Sequence, residues 1–200
     1  MTNITTPRRD SMEKPKAKPK KAKPRSSLYA LWRNKASKRL VEVLVCVDGC
    51  VGSKKSRQKS SSKRKVRLTA EVEVVDSKEM IKLNHRFRGK NQPTDVLSFS
   101  SPQVFREFGY LGDLVVCLPV LKKQAAEFKH APASELDVLL VHGVLHLMGF
   151  DHEKSAKEAK KMQKLEAQVL EALQGSFGVK KVKGPKAAVP SLSLILRARS

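Results

Sequence analysis

Of the five histidines in this 200-residue chain, three lie within eleven positions, in the stretch HGVLHLMGFDH from His142 to His152. Residues four apart share one face of a helix, so His142 and His146 can reach a single ion from the same side. Gly149 allows a sharp turn through the left-handed region at low cost. His152 can then return toward the same ion. Three neutral imidazoles with a fourth position open to water describe a catalytic zinc site rather than a closed structural one. The expected cofactor is one Zn²⁺ per chain. The offsets match those of zinc peptidases carrying H-E-x-x-H-x-x-G-x-x-H, yet the Glu that serves those enzymes as general base is replaced here by Gly143.

That replacement directs the chemistry. A peptidase must protonate a poor amine leaving group and needs a carboxylate beside the metal. A zinc ion alone lowers the pKa of its water to about 7. This suits a phosphodiester, provided a cation takes up the charge that develops on the phosphate. Gly143 also has a plain structural use, close packing of its helix against a neighbour. Asp151 reads equally as a turn former and as a group orienting a ligand. Candidate cations cluster in NHRFRGKNQPTDVLSF, residues 84–99, where Arg88 ends a helix and Lys90 follows in a loop. The planar guanidinium of an arginine binds phosphate oxygens in pairs.

The elements that must position these residues are read from periodicity. Residues 28–39 suggest a helix. VEVLVCV at 41–47 reads as a strand, with continuation of the helix as the alternative. LTAEVEVV at 68–75 alternates like a half-exposed strand. Asp76 and Glu79 form a capping-box pattern for a helix over 77–88 that stops before Gly89. DVLSFS at 95–100 and LGDLVVC at 111–117 read as two further strands. Pro119 and Pro132 open two helices, the second carrying the histidines on a stripe of Leu136, Leu139, Leu140, Val144 and Leu147. A closing helix over 154–173 turns Met162, Leu165, Val169 and Leu173 inward. The fold class is therefore α+β: a small mixed four-stranded sheet covered by helices, with the metal site on a central helix and the turn after it.

The formal charge is +22, unevenly spread. Residues 68–174 hold 14 basic and 15 acidic side chains, so the positive excess belongs to the remainder. Residues 1–27 form a Lys/Pro-rich tail expected to be disordered, 49–65 a basic loop within a 28–174 domain, and 175–200 a basic extension. Such arms point to a polyanion partner. Cys46, Cys50 and Cys117 make no disulfide framework and read as small hydrophobes. No apolar run is long enough for a membrane helix, and the basic N-terminus lacks the apolar core of a secretory signal. A cytoplasmic protein with no membrane partner is expected.

LNHRFRGKNQPTDVLSF at 83–99, LGDLVV at 111–116 and HGVLHLMGFDH at 142–152 together resemble the YbeY family, bacterial endoribonucleases of ribosomal RNA maturation. The resemblance covers about residues 68–173. It implies a compact α+β fold and zinc held by His142, His146 and His152. The arginine that the family ties to RNA cleavage falls on Arg88. It further implies single-stranded RNA as substrate, processing of the 16S rRNA 3′ end, ribosome quality control, and ribosomal proteins or subunits as partners. Ser100 stands where the family usually has Pro, and the segments at both ends exceed the family core. Attack by water and attack by the RNA's own 2′-OH are both compatible with these residues. Two other readings stand beside the nuclease: a ribosome-biogenesis binding factor with a structural zinc, and a metallopeptidase that draws its Glu from elsewhere.

Overall fold

The computed structural model describes residues 27–52 and 66–176. The basic tail up to residue 26, residues 53–65 of the expected loop and nearly all of the C-terminal extension lie outside the described residues, whereas residues 49–52, expected as loop, are the end of helix α1. The elements run α1 (Ser27–Gly52), β1 (Thr69–Val75), α2 (Ser77–Arg88), β2 (Val96–Ser100), α3 (Gln103–Arg106), β3 (Tyr110–Cys117), α4 (Leu118–Glu127), α5 (Pro132–Leu147) and α6 (Ala156–Ser176). The architecture is α+β, as expected. None of the described helices is long and apolar enough to cross a membrane.

The sheet has three strands, not four. Its order is β1-β3-β2, with β1 parallel and β2 antiparallel to β3. The missing strand is residues 41–47, which continue α1 as helix. Alternating valines favour a strand, but tertiary burial decides the matter. Ala36, Leu40, Val43, Leu44 and Val47 are buried at helical spacing, whereas Val41 and Val45 are 46% and 61% exposed. A strand would have placed all four valines on one face. Arg39 of α1 clamps Asp137 of α5 through Nε at 2.6 Å and Nη2 at 2.9 Å, and also binds Glu42. Those carboxylates push its pKa further up.

The other elements form where the pattern places them. Asp76 caps α2 by accepting from the Glu79 backbone N–H at 2.8 Å, one of the otherwise unpaired donors of a helix start. The short α3 on the β2–β3 connection is the one added helix among the described residues. Within the PTDVLSF stretch, Asp95 accepts from the Val96 N–H at 2.8 Å and from the Gln124 amide at 3.1 Å, which ties the start of β2 to α4.

α5 is the central element and touches α1, α4, α6, β2 and β3. Leu136, Leu139, Leu140, Val144, Leu145 and Leu147 are all at most 1% exposed. Burial of this many leucines, at about 2–3 kcal/mol each, makes α5 the anchor of the domain. Gly143 explains how the helix lies so close to the sheet. A Cβ built there would stand 2.7 Å from Leu114 Cδ2 of β3 and 3.3 Å from Ser98 Oγ of β2.

Candidate metal centre

α5 presents His142 and His146 one turn apart, and both border a cleft. The helix ends at Leu147 with Met148 as its C-cap, and the chain turns at Gly149, whose φ is +90°. Phe150 donates its backbone N–H to Leu145 O at 3.1 Å, and Gly149 donates to His146 O at 2.9 Å. The guanidinium of Arg106 from α3 donates to Leu147 O at 2.6 Å and so satisfies another carbonyl at this helix end. Asp151 accepts from the Glu153 N–H at 2.9 Å, a turn that shapes the loop carrying His152. That hydrogen bond, then Lys154, holds the Asp151 carboxyl below its usual range.

These local devices bring the three rings together. One nitrogen from each of His142, His146 and His152 lies within 4.8 Å of the others. The centroid separations are 4.6, 5.3 and 5.2 Å. His142 Nε2 and His146 Nε2 are 3.1 Å apart. Two nitrogens each about 2.0–2.1 Å from one tetrahedral ion would be about 3.3 Å apart, so little adjustment is needed. Burial, followed by repulsion from His142 and His152, pushes the His146 pKa down to about 4. Its imidazole is therefore neutral at physiological pH, the form that donates a lone pair to a cation. By donor chemistry and spacing, the cluster fits a divalent metal.

The rings open onto a cleft of about 700 Å³, also bordered by Phe87, Arg88, Ser98 and Asp151. Arg88, the last residue of α2, reaches this rim and stands 3.5 Å from Glu153. Lys90 is exposed and does not border the cleft. Position 143 itself faces Leu114 and Ser98 at contact distance and carries no side chain, and the carboxylates that border the cleft are Asp95, Asp151 and Glu153. Sequence reading missed Glu166 of α6, which is 5% exposed and whose carboxylate pairs with His142 Nδ1 at 2.7 Å. A signal for it existed. Residue 166 falls between Met162 and Leu170 on the inward stripe of α6, where a carboxylate is out of place. Arg106 was missed as well, and nothing in its local sequence points to the end of α5.

A family model described as endoribonuclease YbeY matches residues 32–174. The chain belongs to the YbeY family. The endoribonuclease YbeY of Aquifex aeolicus is 42% identical over 102 residues, which cover 51% of this chain and 68% of that one. The endoribonuclease YbeY of Persephonella marina is 41% identical over 108 residues, covering 53% and 71%. A solution structure of a Thermotoga maritima protein aligns at 25% identity and a TM-score of 0.45, over 74% of this chain and 92% of that one. The family match extends upstream of the motif-bearing region into α1, whose sequence carries no part of the three blocks.

Proposed function

We propose that this chain is a zinc-dependent endoribonuclease that cuts single-stranded RNA in maturation of the 16S rRNA 3′ end and in ribosome quality control, within the cytoplasm. The supporting observation is the gathering of three imidazole nitrogens within 4.8 Å at a cleft that an arginine also borders. His142, His146 and His152 hold one zinc ion in this reading. When bound, the cation supplies Lewis acidity that neutralises phosphate charge and eases ionisation of water. The protein's own groups do the positioning. Arg88 takes hold of the phosphate oxygens through its planar fork, exchanging its exposed partner Glu153 for the substrate. The neutral imidazole of His146 offers its lone pair without a proton to expel. Gly143 supplies no carboxylate at the position where a zinc peptidase carries its base, which favours a phosphodiester over an amide.

In this scheme residues 28–174 are the catalytic domain. The basic segments 1–27, 49–65 and 175–200 add sequence-independent attraction to RNA, with ribosomal proteins or subunits supplying the address. The test is metal analysis of wild type beside His146→Ala, with a single-stranded RNA cleavage assay on both and on Arg88→Ala. Wild type is expected to carry about one zinc per chain, and His146→Ala to lose both metal and cleavage. Arg88→Ala is expected to keep its metal while cleavage falls about 10²–10³-fold, the scale of losing one charge-stabilising group. Full cleavage by metal-stripped wild type, or by Arg88→Ala, would refute the assignment.

A further inference from the structure

The buried carboxylate of Glu166 has no place in the scheme above, and its surroundings require an explanation. It lies on the inner stripe of α6 with Met162, Val169 and Leu170, which are 1%, 0% and 4% exposed. An ionised carboxylate among such neighbours is costly unless it is paired and hydrogen-bonded. Its partner is Nδ1 of His142, at 2.7 Å. The opposite nitrogen of that ring, Nε2, faces His146 Nε2 at 3.1 Å. The imidazole is thus held from behind by α6 and offered forward to the histidine cluster.

We propose that Glu166 is a positioning residue of the metal centre: it holds the His142 proton on Nδ1, so that Nε2 faces the cleft with a free lone pair. The inference rests on the metal-binding reading of the three histidines. A neutral imidazole has one N–H and one lone pair, and which nitrogen carries which is set by the hydrogen bond on the far side. A carboxylate behind a ligating histidine fixes tautomer and ring orientation together and makes the forward nitrogen more basic. Glu166 is 24 residues downstream of His142 and on another helix, so the docking of α6 against α5 becomes part of ligand geometry. The closing helix is therefore a component of the site as well as of the core.

The experiment uses the full chain as wild type, Glu166→Met, Glu166→Ala and Glu166→Gln, with zinc as the probe. Zinc affinity is read by competition with a chromophoric chelator. The His142 tautomer is read in zinc-free protein from long-range couplings of ring nitrogens labelled with ¹⁵N. Met keeps the volume of Glu in an apolar setting, and Ala serves as a second shape should Met pack badly. Affinity is expected to fall about 10–100-fold in both, with His142 shifting away from the Nδ1–H form while circular dichroism is unchanged. Gln retains a side-chain oxygen that can accept from Nδ1, and should recover most of the affinity and the wild-type tautomer. Unaltered zinc affinity and tautomer in the Met and Ala variants would overturn the role of Glu166 and leave the three-histidine site standing. Wild type that fails to bind zinc would remove both.

Discussion

At the scale of single residues, the site combines a buried ligand, His146, that resists protonation with a cation held by a weak partner. In metal-free protein, the His146 ring is expected to titrate by NMR near pH 4, against 6.5 for an unperturbed histidine. A midpoint near 6.5 would show the ring to be solvated rather than buried beside two other imidazoles. The sign of the linked stability follows. Between pH 4 and 6.5 the unfolded chain takes up this proton and the folded chain does not, so His146 makes the metal-free fold weaker as pH falls through that window. Arg88 offers a second test. Its contact with Glu153 is 3.5 Å long and both side chains are substantially exposed, so the pair is worth at most about 1 kcal/mol. Glu153→Gln should strengthen RNA binding by less than about fivefold, measured at low salt. A loss of binding would mean that Glu153 orients Arg88 instead of competing for it.

At the scale of elements, two glycines on the histidine segment carry different expectations. Gly143→Ala places a methyl 2.7 Å from Leu114 Cδ2. Overpacking costs about 1 kcal/mol or more, while Ala in place of Gly favours the helix by about 0.5–1 kcal/mol. The two nearly cancel, and thermal unfolding should shift by only a few degrees. Gly143→Glu, which restores the peptidase residue, brings a buried carboxylate with it and should destabilise by about 3 kcal/mol or more without creating peptidase activity. Gly149→Ala meets no neighbour but must adopt φ +90°. It should cost about 1–2 kcal/mol and weaken zinc binding, because the turn that returns His152 is strained. Zinc competition and melting curves on the three variants separate packing from geometry: a Gly149→Ala protein that melted early but bound zinc normally would detach this turn from the ligand set.

At the scale of the whole molecule, charge is divided between a near-neutral body and basic segments. Residues 68–174 hold 14 basic and 15 acidic side chains within a chain of net charge +22. Binding to a polyanion by release of counterions should therefore reside mostly in the segments outside that range. Deleting residues 1–26 and 177–200 is expected to weaken RNA binding and flatten the slope of log affinity against log salt, with zinc content unchanged. An undiminished slope would place the phosphate contacts within residues 27–176, on the folded body or the basic 49–65 segment.

Much of this protein can be read from its sequence because the relevant signals are local. Histidines four apart on a helical stripe, a glycine beyond the helix end and an Asp cap before a periodic segment all act over one or two turns. They need no distant partner to be recognised, and α2, α5 and the turn at Gly149 stand where they indicate. Segment 41–47 shows the limit. Its valines carry a strand propensity, and only the packing of Val43 and Val47 against the core, with Val41 and Val45 turned out, resolves it as helix and leaves the sheet with three strands. Glu166 and Arg106 belong to the same class. Each acts on α5 from 24 or 41 residues away, through single hydrogen bonds to His142 and Leu147. The reason is physical: spacing along a chain encodes which residues share a face, whereas which faces meet is decided by the burial of whole elements against one another.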